Sequence, residues 1–503
     1  MSRAKSTLRN IIFQFAYELL VLLFGFIAPR WIIETYGSSV NGLTSTINQL
    51  LQILNLLQIG AVGASIFEMY KPVAEKDYKT ISLIIDSSKK YFRKMGSIFL
   101  AGVLVAAPVI AYMKSGEGIP PWAIVLSVII LGLNGSFYFF FTSWFDILFS
   151  PHQKRFVMSI SAMIEKIVYY GCLFAVLFFK LHFVVMYITM LVGSVAKVIY
   201  LYAKYNKDFK GLMSPVPKGS HYPIRNRNYL MLNQIARQTI ESSPSVIIST
   251  AYTLSDGSVY SVYHLVQNMI KMVINTLQHS VSEIFGTFVA KADNDRIKSV
   301  YNAMEYGFYA LGTVVISCTA FLYTPFVYAY TKGNTLDVNY VYPMVALIFV
   351  IYDAIYCAYS PVFMLSNIYG LFKNTYKQSL VSGIMGLALA IGLGMISWEY
   401  VLFGLVFYYG SSLVYRIYVL NKNVDWFDLK KIPLRIGLMG SALVLSYFAG
   451  AKFAVHSTSW IAWILQAVII AVISTLYVII YTISFERKEF KTLFKHVKAM
   501  VKK

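Results

Sequence analysis

Two stretches of this chain, about 219 to 220 positions apart, place amides, a histidine and a lysine at helical spacing. Thr44, Asn48, Leu51, Asn55 and Gln58 recur at intervals of three and four; His264, Asn268, Lys271, Asn275 and Gln278 do the same. Asn48 matches Asn268, Asn55 matches Asn275 and Gln58 matches Gln278. Such intervals put each set on one helix face. Amides offer paired donors and acceptors and Lys271 adds a cation, which suits a polar ligand carrying negative charge. Lys271 is expected either to contact an anionic headgroup or to be neutralised by Glu241 or Asp353.

Further charged groups fall inside apolar segments, where each costs about 2.5 to 3.5 kcal/mol near a bilayer centre and so needs a partner or an aqueous face. Glu18 and Arg30 lie in the first such segment, Glu165 beside Lys166 in the fifth, and Lys197 in the sixth. Arg237 and Glu241 are four apart, a spacing suited to an internal pair. Arg237 also falls opposite Glu18 at an offset of 219, so an alternative is a gate bridge made in one state only. His264, His279, Glu283 and Asp353 are candidates for taking up a proton or cation, or for plain packing in a polar seam. Glu165 and Lys166 cannot face each other on a helix.

The elements that carry these residues are membrane helices. The chain of 503 residues is 57% hydrophobic and 13% charged, with a mean hydropathy of +0.60, outside the range of soluble domains. Fourteen spans are expected, centred near residues 21, 55, 104, 135, 167, 194, 240, 272, 311, 354, 386, 410, 443 and 472. Most of the 44 Lys and Arg then fall on one side, with Lys114, Lys180, Lys332 and Lys452 in outer loops. That asymmetry is the positive-inside pattern and puts both termini in the cytoplasm. The net charge of +21 therefore reads as orientation signal and attraction to anionic lipid, not as a nucleic-acid site. The basic start, Arg3, Lys5 and Arg9, leads into a segment too long for a signal-peptide core. Cys172, Cys318 and Cys357 lack metal-ligand spacing and read as packing residues.

Along the chain, 1–210 reads as a first lobe of six spans and 211–227 as a cytoplasmic linker marked by Pro215, Pro217 and Pro223. Residues 228–425 read as a second six-span lobe, 426–485 as an extra pair, and 486–503 as a basic amphipathic tail. The segment Lys71 to Lys94, with Ile81, Ile84, Ile85 and Phe92, and the tail, with Phe490, Leu493 and Phe494, are both expected to lie in the membrane interface. The repeat continues outside the polar stripe: Arg9-Asn10 with Arg227-Asn228, Ser39-Val40 with Ser258-Val259, and Ala196-Lys197-Val198 with Tyr415-Arg416-Ile417. Equal polarity and six spans per unit give a parallel repeat. The fold class is thus all-α and polytopic.

No phosphate-binding glycine loop, metal-ligand cluster or Ser, His and Asp set is present, so an ATP-driven pump or an enzyme is not expected. The 6 + 6 + 2 arrangement, with the opening Arg9-Asn10 run, the turn from Tyr36 through Gly37, Ser38, Ser39, Val40, Asn41 and Gly42 to Leu43, and Gln58-Ile59-Gly60, resembles the MOP superfamily. Within it the chain looks like the Wzx-type polysaccharide flippases. The resemblance implies alternating access in the bacterial cytoplasmic membrane and export of an undecaprenyl-diphosphate-linked oligosaccharide for capsule, exopolysaccharide or O-antigen-type polymer. Membrane lipids are partners, with a glycan polymerase and export machinery as further ones. On that reading Lys271, Arg237 and Arg30 bind the diphosphate. Asn48, Gln52, Asn55, His264, Asn268 and Asn275 contact sugars, and Glu18, Glu241 and Asp353 serve gating or coupling to H+ or Na+. No resident cofactor or metal is expected. A multidrug or small-lipid exporter of the same fold, and a membrane-bound glycan polymerase or ligase, are the alternatives.

Overall fold

The computed structural model describes residues 3–54, 62, 65–66, 68–69, 71–73, 75–114, 117–152, 154–217, 219, 222, 228–289, 293–331, 337–453 and 459–501. Among them there is no strand. Ten helices are long and apolar enough to cross a membrane, which makes this a multi-pass membrane protein. In a bilayer each such segment must satisfy its own backbone, and the helix does so within one segment.

The chain divides into two compact units, Met1–Ser258 and Val259–Lys503. In the first, α1 (Arg3–Tyr36) is followed after Gly37, at φ 84°, by α2 (Ser38–Leu54). A side chain at that φ would be strained, so glycine permits the sharp turn between them. Next come α3 (Tyr78–Met113), α4 (Pro121–Phe137), a π turn (Tyr138–Thr142), α5 (Ser143–Phe149), α6 (Arg155–Phe178), α7 (Val184–Asp208) and α8 (Asn228–Ala251). Helix α9 (Leu254–Val289) begins in this unit and continues into the second. The second unit then holds α10 (Asn294–Tyr330), α11 (Pro343–Ile368), α12 (Phe372–Gly394), a 3-10 turn (Trp398–Leu402) and α13 (Phe403–Asn423). Helices α14 (Ile432–Phe453), α15 (Trp460–Phe485) and α16 (Arg487–Val501) complete it.

The same pairing recurs in each unit. In the first, α3 packs on α4, α4 on α7, and α6 on α7; in the second, α10 packs on α11, α11 on α13, and α12 on α13. Each helix of the first set precedes its counterpart by roughly the sequence offset already seen in the polar stripes.

Of the two segments expected in the membrane interface, the first belongs from Tyr78 onward to a packed helix, and the tail packs against protein on one side. Asp77 caps α3, accepting from the backbone of Lys79 and Thr80 at 3.1 Å each. The helix then runs unbroken from Tyr78 to Met113 with Ile81, Ile84, Ile85 and Phe92 buried. The apolar face that reads as lipid-seeking is thus part of the core of the first unit. The tail helix α16 packs against α10: a side chain on Gly307 would meet Leu493 at 3.2 Å. Phe490 and Phe494 remain exposed on it.

Buried ions fasten the extra helix pair. Arg435 on α14 pairs with Glu305 on α10 and with Glu486 after α15 at 3.1 Å, and it donates to the Asn302 carbonyl at 3.1 Å. Lys431 pairs with Glu486 at 3.5 Å and with Glu489 on α16. The guanidinium fork satisfies three acceptors at once, which is what a buried charge requires.

Candidate functional site

In the second unit the stripe on α9 faces a wall of tyrosines. The Lys271 ammonium lies 5.3 Å from the ring centre of Tyr356 and 5.7 Å from that of Tyr352, both on α11. Quadrupoles of such rings favour a cation over their faces. Tyr356 donates to Asn275 at 2.6 Å, one helical turn from Lys271. His264 meets Asn268 at 3.2 Å and stacks on Tyr260 with ring centres 5.3 Å apart. Tyr409 on α13 stands edge-on to Tyr352, Tyr356 and Tyr359 at 5.2 to 5.3 Å, which fixes the wall from behind.

Asp353 lies between the two tyrosines in sequence and is fully buried, and neither carboxyl oxygen has a hydrogen-bond partner. The charge acting on it is the Lys271 ammonium. Of the two partners considered for Lys271 from the sequence, Asp353 is therefore an electrostatic neighbour. Lys271 and Asp353 together with Asn275 form a polar cluster in an otherwise aromatic setting, with the chemistry to hold an anionic group, a small cation or a proton.

In the first unit the equivalent helix α2 uses its stripe differently. Thr44 shares a hydrogen bond with Tyr187 on α7 at 2.9 Å. Leu51, the position matching Lys271, is buried and lines an apolar cavity of about 110 Å³ with Ile47, Leu50, Val103, Ala106 and Val128. The position that carries a lysine against tyrosine in one half thus carries a leucine in an apolar lining in the other. Gln52 accepts from Gln238 on α8 at 3.0 Å, and Asn48 is half-buried. Asn55, Gln58, Ile59 and Gly60 lie outside the described residues, as do the side chains of His279 and Glu283.

The remaining candidates disperse. Arg30 pairs with Glu34 at 3.2 Å on its own helix, and Glu18 accepts from Gln14 at 2.8 Å. Arg237 and Glu241 are half-buried on α8. Lys197 and Glu165 form an ion pair of 2.7 Å between α7 and α6, and both Glu165 and Lys166 are half-buried.

Sequence reading missed the tyrosine wall and the burial of Arg416 on α13. Alternation of tyrosine at 352, 356 and 359 was available as a helical signal, but in so apolar a segment it reads equally as interfacial aromatic residues.

The fold is like that of solved MOP superfamily transporters. A lipid II flippase, MurJ, in an inward closed conformation superposes with a TM-score of 0.66 at 13% identity, covering 95% of this chain and 99% of the flippase. A multidrug resistance MATE family transporter in an inward-facing conformation gives 0.61 at 11% identity over 86% of this chain and 99% of its own. A MOP superfamily transporter from Pyrococcus furiosus, described as having a binding pocket of reverse polarity, gives 0.54 at 13% identity over 87% and 96%. No family model matches the sequence, and no curated protein matches it.

Proposed function

We propose that this protein is a flippase for an undecaprenyl-diphosphate-linked oligosaccharide, working by alternating access in the bacterial cytoplasmic membrane and serving capsule, exopolysaccharide or O-antigen-type export. The observation that carries the reading is the Lys271 cluster. A cation held against tyrosine faces beside a buried carboxylate and a fixed amide offers charge for a diphosphate and hydrogen bonds for sugar. The similarity to the lipid II flippase covers 95% of this chain, and the α14–α15 pair is tied into the second unit by the buried Arg435 cluster. Lys271 is the proposed diphosphate contact; Arg237 and Arg30 are proposed from the sequence as separate cationic candidates. Asn48, Gln52, Asn55, His264, Asn268 and Asn275 line the sugar path. Glu18 and Arg237 act as a gate, and Glu241 and Asp353 couple H+ or Na+ to the cycle.

In a deletion strain, lipid-linked repeat units are expected to accumulate on the cytoplasmic face. Accumulation of unpolymerised repeats on the outer face would instead point to a polymerase. Efflux of cationic dyes, lost in K271M, with normal polymer export would point to a drug exporter.

A further inference from the structure

Among the described residues three basic side chains are buried: Lys114 at 3% exposure, Arg435 at 0% and Arg416 at 3%. Lys114 has Glu117 at 2.9 Å, and Arg435 has Glu305 and Glu486. Arg416 has no carboxylate among the described residues. Its Nη1 donates to the Ser366 hydroxyl on α11 at 2.8 Å, its Nε is buried without a hydrogen-bond partner, and the guanidinium lies 5.0 Å from the ring centre of Phe363 and 5.6 Å from that of Tyr359.

The internal repeat sharpens the anomaly. Lys197 on α7 occupies the position equivalent to Arg416 on α13, an offset of 219, and there the charge is met by Glu165 at 2.7 Å. The residues at the matching offsets from Glu165 are Ile384 and Met385, both exposed and apolar. The second half thus carries a cation at this position with no acid at the position matching Glu165. One hydroxyl and two aromatic faces do not replace a counter-charge for a guanidinium inside a membrane protein, which leaves the group suited to an anion from beyond the described residues. The guanidinium fork, with its open Nε, matches a phosphate in bidentate fashion.

The place of the site says which phosphate. Ser366 is close to the end of α11 at Ile368, and on the orientation given by the Lys and Arg distribution that end is cytoplasmic, the level of inner-leaflet headgroups. We infer that Arg416, with Ser366, binds the phosphate group of an inner-leaflet lipid, and on the proposed function, on which this last step rests, that the lipid is the diphosphate carrier before it is taken up. Phe363, half-buried, is the lid over the guanidinium in this state. The ring swings aside to admit the ligand.

The test uses the full chain in nanodiscs. Thermal stability is followed in phosphatidylcholine alone, with added phosphatidylglycerol, with added undecaprenyl diphosphate, and with inorganic pyrophosphate in solution. The wild type gains stability with the two phosphate-bearing lipids of net negative charge, more with the diphosphate, and not with pyrophosphate. R416Q loses the gain or needs at least tenfold more lipid to reach it, whereas R416K retains part. F363A keeps the cation and uncovers it, so it reaches the gain at lower lipid fraction; it also serves if R416Q does not fold. Equal lipid-dependent gains in wild type and R416Q would overturn the site, and a full gain from pyrophosphate alone would overturn its assignment to a lipid. An Arg416-dependent gain from phosphatidylglycerol stands even if the protein moves no carrier lipid in proteoliposomes, so failure of the proposed function is read separately.

Discussion

The Lys114 ammonium donates to the Tyr252 carbonyl oxygen at 2.7 Å, within the first compact unit. Lys114 also pairs with Glu117 at 2.9 Å, and Glu117 accepts from the backbone N–H of Leu254 at 2.6 Å. A cation therefore meets the carbonyl end of α8 and a carboxylate meets the amide end of α9, each complementing the partial charge left at that helix terminus. One loop thus staples the turn between two helices.

Breaking this staple should cost stability and loosen the turn. E117A and K114A are each expected to lose about 1.5–3 kcal/mol, the worth of a hydrogen bond to a charged group, read as a lowered unfolding temperature in detergent. Nearby, Ser39 and Ser255 share a contact of 3.3 Å between hydroxyls. A Ser39→Cys, Ser255→Cys pair should cross-link under mild oxidant and arrest transport reversibly, with reductant restoring it. Efficient cross-linking with undiminished transport would show that this contact is not broken in the cycle.

Gly42 faces the same turn. A Cβ built there would fall 1.7 Å from the Leu254 carbonyl oxygen and 3.1 Å from the Ser258 nitrogen, so the backbones of α2 and α9 meet with nothing between them. Backbone, unlike a flexible side chain, cannot step aside. G42A should abolish transport and shift solvent accessibility of Ser39→Cys to maleimide reagents, while G25A, with nothing within 4 Å of its added carbon, leaves both unchanged.

Lys271 and Asp353 should prove coupled. Removing the ammonium in K271M takes the counter-charge from a fully buried carboxyl group whose oxygens have no hydrogen-bond partner, and that costs stability whether the group stays ionised or takes up a proton. K271M/D353N should recover most of that stability without recovering the polymer export proposed for this protein. Additive losses in the double-mutant cycle would mean that the two charges do not act on each other.

The helices were legible in the sequence because bilayer-length apolar runs have few alternatives, and the doubled polar stripe located the Lys271 cluster because helical spacing repeats with little error. Pairing was not legible. Glu165 and Lys197 sit on different helices, and nothing local to either names the other, so adjacency to Lys166 was the only visible relation. Lys114 looked like a loop charge because its targets are backbone atoms, which carry no sequence signature. The face of α3 around Ile84 looked lipid-seeking because an amphipathic pattern is the same whether the apolar face meets lipid or protein. Arg416 was visible as a repeat match to Lys197, but the lack of an acid at the matching position becomes meaningful only once Lys197 is seen to have one.

The tail helix α16 should detach under acid. Its Glu489 carboxylate is opposed by burial, yet the hydrogen bond from Lys431 holds it below the usual carboxylate range. A carboxylate whose folded value is lowered contributes stability that is complete above its unfolded value and is lost as pH falls through the folded one. The clip to Lys431, just before α14, is therefore intact at neutral pH and opens on acidification below the ordinary range of glutamate. E489Q should open it at every pH, and L493A, by removing the side chain that lies over Gly307 on α10, should do so without touching charge. Hydrogen exchange of residues 487–494 reads both. Exchange in wild type that is fast at neutral pH and unchanged by E489Q would mean that the clip does not hold the helix.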